Sequence, residues 1–198
     1  MLLSDRRRRE ERQRAFLKAL PTPDSIAVRP IGVVRSPYEL RHDCPRQPTM
    51  APAPGAAQPN DEPALATIEL FEGQGLEASV RDLCGFEYIW LIYHFHANEH
   101  WRPEIRLPPD PEAPPSSAPN VVRPRRRVGV LSTRSPHRPN PLGLSACRLV
   151  RADPAALSLT VAGIDCLDGT PVLDLKPYVP WADAFPNAGA GWHERSTP

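Results

Sequence analysis

With 198 residues, 27 of them proline, and 24 basic against 23 acidic side chains, the chain carries a formal charge of +1. That length supports one domain with its own core and a small appendage, while bulk charge argues neither for nor against a polyanionic partner. No apolar run approaches a membrane span and none follows the N-terminal arginines as a secretory signal requires, so a soluble cytoplasmic protein is expected.

Ser4 stands as a possible N-cap before an amphipathic helix over Asp5–Leu20, whose apolar side is Ala15, Phe16, Ala19 and Leu20. Asp5–Arg14 holds six arginines against three acids. The run fits an exposed, salt-bridged helix face and a phosphate-binding patch equally well. Strands follow: Ile26–Arg35, with Pro30 marking an edge or bulge, and Ala66–Leu70. A short helix is expected over Leu76–Leu83, closed by Gly85. Tyr88–His96 is the strongest strand, and Val128–Thr133, Leu144–Arg151, Leu157–Ile164 and Val172–Leu175 complete the set. Prolines crowd Pro45–Pro63 and Pro103–Pro124, which read as long loops. No βαβ alternation appears, so the fold expected is mainly β: a small closed, mostly antiparallel β-barrel with a few short helices. Residues 1–22 form the basic N-terminal helix, 23–185 the barrel domain and 186–198 a C-terminal tail.

The four cysteines, Cys44, Cys84, Cys147 and Cys166, lack Cys-x-x-Cys spacing, and three lie in or beside apolar segments. They read as free thiols in a reducing compartment. His94 and His96 share a strand face, but no third ligand is spaced to join them, so no metal is expected.

The polar residues gather in four clusters at strand ends: Pro45-Arg46-Gln47, His94–Asn98, Ser132–Ser145 and Asp165–Pro171. Ser132–Ser145 carries three prolines, two arginines, a histidine and an asparagine on one stiff extended loop. It reads as a solvated Pro-rich connection or, better, as an anion- or cofactor-binding wall. Arg134 and Arg138 offer forked donors for a carboxylate or phosphate. Asp168-Gly-Thr-Pro171 suits a turn with positive φ at Gly169, structural on its own terms and equally able to present a carboxylate to ribose hydroxyls. Lys176 is free to pair with Asp174 or to meet a substrate. Arg123–Arg127 adds four arginines in five residues, a second phosphate-binding candidate. No Gly-rich phosphate loop and no Gly-x-Ser-x-Gly is present.

Ile31–Tyr38, Pro45-Arg46-Gln47, Phe95-His96, Ser132–Ser145 and Asp168–Tyr178, in this order, resemble the TsaA-like family of β-barrel methyltransferases. The resemblance implies S-adenosyl-L-methionine as cofactor, held by Pro45, Arg46, Gln47, His96, Ala97, Arg134, Leu144, Asp168, Gly169, Thr170 and Pro171. It implies a tRNA partner, methylation of the exocyclic nitrogen of N6-threonylcarbamoyladenosine beside the anticodon, and a homodimer. It further implies that the C-terminal domain of longer members is lacking here, since about twenty residues follow Tyr178. On that reading Arg138 and Lys176 are substrate contacts, Arg125, Arg126 and Arg127 meet nucleic acid, and the catalytic base is open among His137, Asp168 and Tyr178. A methyltransferase of another RNA or small molecule, and a non-catalytic cofactor-binding module, are the alternatives.

Overall fold

Alternation of apolar and polar residues lets a strand bury one face and wet the other, and Tyr88–His94 (β3) shows this most fully. Ile89, Leu91 and Tyr93 point inward, while Trp90, Ile92 and His94 face outward. The computed structural model describes residues 2–19, 23–48, 63–98, 100–107 and 126–192, with side chains of the N-terminal helix described over 7–15. Besides β3, the strands are Gly32–Arg35 (β1), Leu65–Leu70 (β2), Glu104–Arg106 (β4), Arg127–Gly129 (β5), Leu142–Asp153 (β6), Ser158–Ala162 (β7) and Pro171–Pro177 (β8). Six of them close into a barrel in the order β1-β2-β7-β6-β3-β8, every pairing antiparallel. β4 and β5 form a separate two-stranded arm. The expected mainly β, closed antiparallel barrel is what the chain forms.

The interior is narrow, and small residues let the wall curve. A Cβ at Gly32 would meet the Glu69 carbonyl oxygen at 2.4 Å, and one at Gly143 would sit 2.2 Å from Cζ of Tyr93. The Tyr93 ring therefore lies directly on the β6 backbone. Val34, Ile68, Ile89, Leu91, Leu159, Val161, Ile164 and Val172 fill the remaining space. Bulges between Ile92 and Tyr93 against β8, and between Leu149 and Arg151 against β7, bend the long strands.

Several boundaries differ from the sequence reading, each for a local reason. The helix α1 runs over Leu2–Ala19, so Ser4 lies inside it instead of capping it; Arg7–Ala15 are all exposed, and no apolar side is packed there. Leu20 lies outside the described residues. The strand expected over Ile26–Arg35 is restricted to β1. Pro30 lacks an amide donor, and Ile26 and Val28 stay exposed. The helix α2 (Leu76–Val80) passes into a 3-10 turn over Arg81–Gly85, and it is Gly75, φ 70°, that takes the left-handed backbone at its start. Val128–Thr133 is not one strand: β5 ends at Gly129 and a 3-10 turn covers Val130–Ser132. Pro180–Asp183 (α3), unforeseen, lies against the outer face of β3. There Asp183 Oδ2 accepts from Trp90 Nε1 at 3.0 Å and from the Val179 amide at 2.8 Å. These bonds hold its carboxyl below the ordinary carboxylate range.

One polar cluster is built into the apolar interior. Ser145 Oγ donates to Asp165 Oδ1 at 2.5 Å, and Tyr93 OH reaches the same oxygen at 3.4 Å. Burial raises the Asp165 carboxyl to about 6, against the opposing pull of those two hydrogen bonds. Burial likewise raises the Cys44 and Cys147 thiols to about 12 and Cys166 well above its ordinary value. All four cysteines are unpaired.

Two predictions concern stability. Gly143→Ala forces a methyl into the Tyr93 ring and should cost about 2 kcal/mol, read as a melting temperature lower by about 4–8 °C. Native Asp165 keeps its proton up to about pH 6, whereas the unfolded chain releases it near pH 4. Stability from this group is therefore lost as pH rises from about 4 to about 6 and is constant above. Asp165→Asn, which cannot ionise, should gain about 1–2 kcal/mol over the wild type above pH 6 and nothing below about pH 4, read from denaturant midpoints across pH.

Candidate functional site

Antiparallel closure decides which chain segments can meet. β1, β3 and β7 finish at one rim, and β2, β6 and β8 begin there, so the loops after Arg35, His94 and Ala162 and before Leu142 and Pro171 gather at one end. These are the segments that hold the polar clusters.

The turn before β8 is fixed on both sides. Gly169 adopts φ 74°, a conformation open to residues without a Cβ. Its amide donates to the Val34 carbonyl at 2.9 Å, and the Asp168 amide donates to the Tyr38 carbonyl at 2.8 Å. Asp168 Oδ1 accepts from the Ser36 amide at 3.1 Å. Ser36 Oγ donates to the Cys166 carbonyl at 2.9 Å. Thr170, buried, places Oγ1 3.3 Å from Nδ1 of His96. Partial burial and the neighbouring His94 hold His96 below the usual histidine range, although Asp168 pulls the other way. A neutral imidazole donates at one ring nitrogen and accepts at the other.

The Pro-rich loop is stiffened by its own side chains. Thr133 Oγ1 donates to the Val130 carbonyl at 2.7 Å and accepts from the Ser135 amide at 3.1 Å. Arg138 Nη1 turns back to the Thr133 carbonyl at 2.6 Å. Arg134 instead reaches across the rim and donates to Gln47 Oε1, while Gln47 Nε2 donates to the Arg46 carbonyl at 2.6 Å. The loop is clamped by β6 at one end and by the β4–β5 arm at the other: the Arg102 amide donates to the His137 carbonyl at 3.1 Å. From further along the chain, Trp192 Nε1 donates to the Ser132 carbonyl at 2.9 Å. His137 Nδ1 lies 3.0 Å from the His100 carbonyl. A carbonyl only accepts, so the neutral ring carries its proton on Nδ1 and keeps Nε2 as an acceptor.

The structure therefore brings together Pro45, Arg46, Gln47, His96, Ala97, Arg134, His137, Arg138 and Asp168–Pro171 on one rim. Pro45 is buried, Arg46, His96 and Arg134 are exposed, and Ala97 sits half-buried after His96. Leu144 is near this rim but on the outer face of β6, opposite Ile92 and 59% exposed. Two expected residues are elsewhere. Tyr178 donates its amide to the Tyr88 carbonyl at the opposite rim, its ring 5.4 Å from Trp90. Lys176 pairs with Asp174 at 2.8 Å on the outer face of β8. The alternating pattern of β8 sets both positions: after the bulge Leu175 turns inward, so its neighbours turn out. Arg125 lies outside the described residues; Arg126 and Arg127 are exposed on the arm.

Two residues at the rim carry roles that composition does not reveal. Asn98 Nδ2 donates to the Pro136 carbonyl at 2.9 Å and to that of His100 at 3.3 Å, which fixes the peptide before His137 and the carbonyl that its ring meets. Its Oδ1 is buried without a partner among the described residues, a cost of about 1–3 kcal/mol; reversing the amide would only set an oxygen against two carbonyls. Asp165 lies beneath the rim, close enough to Arg134 to feel its charge. Among the described residues no three histidine, cysteine, aspartate or glutamate side chains come together as a metal site, and no helix is long and apolar enough to cross a membrane.

The chain is similar to known proteins. The family model for the tRNA-methyltransferase O N-terminal domain matches residues 33–184. The tRNA (adenine(37)-N6)-methyltransferase of Escherichia coli is 34% identical over 166 residues, 82% of this chain and 61% of that protein. A putative S-adenosylmethionine-dependent methyltransferase of Pseudomonas aeruginosa is 38% identical over 83% of this chain and 59% of its own length. The crystal structure of TrmO from Pseudomonas aeruginosa aligns with a TM-score of 0.59 at 36% identity, covering 84% of this chain and 62% of that one. The chain thus spans about 60% of the length of these curated relatives. A match running from β1 through α3, on a barrel of the same form, makes this chain a member of the tRNA-methyltransferase O N-terminal domain family.

Proposed function

We propose that this rim binds S-adenosyl-L-methionine and that the protein methylates the exocyclic nitrogen of N6-threonylcarbamoyladenosine next to the anticodon of a tRNA. The observation that carries the reading is the meeting of the Asp168–Pro171 turn, His96 and the Arg134–Gln47 bridge at one end of a filled barrel. Relatives named as adenine(37)-N6 methyltransferases and as S-adenosylmethionine-dependent or -binding proteins support it. A cytoplasmic location accords with a tRNA substrate. A homodimer through the outer face of β3 and β6 belongs to the same proposal, supported by exposed Leu142 and Leu144 beside Ile92.

The donor set fits the cofactor. Its carboxylate calls for a guanidinium such as Arg134, with Arg46 nearby in sequence to Gln47. Its ribose hydroxyls call for a fixed carboxylate, which Asp168 presents, anchored by the Ser36 amide on a turn whose own amides are spent on the Tyr38, Val34 and Leu167 carbonyls. Tyr93 and the apolar core already fill the barrel, so the ligand lies across the rim toward Leu144, not inside the sheet. When bound, S-adenosylmethionine supplies an electrophilic methyl group for in-line transfer.

The residues of this chain then have two tasks, orientation and removal of one proton. The guanidinium nitrogens of Arg138 not spent on Thr133 hold the carboxylate or carbamoyl oxygen of the modified base. Of the three expected bases, His137 is best supported, because Nδ1 is committed to the His100 carbonyl and Nε2 is left as an acceptor. Asp168 spends one carboxylate oxygen on the Ser36 amide, and Tyr178 stands at the far rim.

The decisive experiment incubates the protein with methyl-labelled cofactor and tRNA from a strain lacking this activity, then separates the digested nucleosides. Label is expected in one adenosine derivative; Arg134→Ala should lose cofactor affinity by about tenfold or more, whereas Tyr178→Phe leaves turnover unchanged. Tight cofactor binding with no label in any nucleoside would refute the tRNA reading. Affinity for tRNA should fall steeply with salt, and replacing Arg126 and Arg127 by alanine should flatten that log–log slope by about 1–2; an unaltered slope would remove these two arginines from the interface.

A further inference from the structure

The β4–β5 arm does not contribute to the barrel, yet its chemistry is concentrated. Arg102, Arg106, Arg126 and Arg127 are all exposed there, against one described acid, Glu104. Register sets Arg106 directly opposite Arg127. Like charges facing each other across an antiparallel pair are destabilising. Glu104 answers one of them, at 3.3 Å from Arg127 Nη1. Arg102, Arg106 and Arg126 have no ion-pair partner among the described residues. Two exposed arginines paired in register, one of them half-compensated, are suited to an external phosphate, which a forked donor meets with two hydrogen bonds.

Beside these arginines stands Trp101, 56% exposed. A large apolar ring left in water at the foot of a cationic arm has no role in the core. It does not float on a long tether: the next residue's amide donates to the His137 carbonyl, and the Pro103 carbonyl accepts from the Val130 amide at 3.0 Å. The preceding residue's carbonyl meets His137 Nδ1 and Asn98 Nδ2. Trp101 is thus tied through backbone bonds to the loop that carries the proposed base.

We propose that the β4–β5 arm with Trp101 is the element that reads the unpaired loop of the RNA substrate. Arg106 and Arg127 hold a backbone phosphate between them, and the Trp101 indole stacks on an unpaired base beside the nucleotide that enters the rim. Stacking needs a splayed, single-stranded base, which a loop offers and a continuous duplex does not. The arrangement deepens the tRNA reading above and rests on it.

The test measures binding of a short RNA stem-loop and of a blunt RNA duplex of equal length, at one salt concentration, beside cofactor binding measured calorimetrically. Trp101→Ala should weaken the stem-loop by about tenfold, in line with the usual worth of base–aromatic stacking. It should leave the duplex and the cofactor unaffected, and Trp101→Phe should restore most of the loss. Arg106→Ala should weaken both RNAs together, because phosphate contacts carry no sequence or strand preference. Wild-type protein that prefers the stem-loop, with Trp101→Ala indistinguishable from it, would overturn the arm while leaving the methyltransferase reading intact. Cofactor binding with no affinity of the wild type for either RNA would overturn both.

Discussion

Closure of the sheet hangs on the seam between β1 and β8, where only Gly32 with Val172 and Val33 with Pro171 stand in register. Pro171 brings no amide donor to it. What secures the seam is the turn just before β8: Val34 donates to the Thr170 carbonyl, Gly169 to Val34, Asp168 to Tyr38, and Ser36 to the Asp168 carboxylate. Each such bond is worth about 1 kcal/mol net, and together they replace the ladder that two short strands lack. The atoms that close the barrel are therefore neighbours of the atoms offered to a ligand. A ligand held by Asp168 and Gly169 would brace the seam as it binds, in proportion to its preference for the folded state.

The same economy explains what could be read from the chain and what could not. The barrel was legible because seven apolar, β-branched stretches alternate with turn signals, and only one short helix pattern, Leu76–Leu83, intervenes. The Asp168–Gly169 turn was legible because positive φ has few residues able to adopt it. Strand limits were less so. Ile26–Ile31 carries the right residues for a strand, but membership is settled by whether a neighbour is there to pair, and β2 and β8 reach only to Gly32 and the residue before it. Val128–Thr133 likewise looked continuous, while tertiary pairing with Glu104–Arg106 stops it at Gly129.

Among the site residues, motif position indicated the rim, and three-dimensional register then divided the candidates. Tyr178 and Lys176 belong to the same continuous motif as Asp168, yet a seven-residue strand separates the two ends of that motif by the height of the barrel. Asn98 and Asp165 were visible as letters only. Nothing in a sequence says that one amide will bridge two carbonyls, or that a carboxyl will be buried between a serine and a tyrosine.

The barrel also has a direction that matters for anything joined to it. β1 runs toward the motif rim and β8 away from it, so the chain on either side of the barrel heads off toward the plain end. The stretch beyond α3 does not stay there; by Trp192 it has doubled back to touch Ser132. A fluorescent reporter or affinity handle inserted directly ahead of β1 is consequently launched away from the rim that gathers the polar clusters. One fused after Trp192 is delivered to its doorstep, where bulk alone can obstruct traffic.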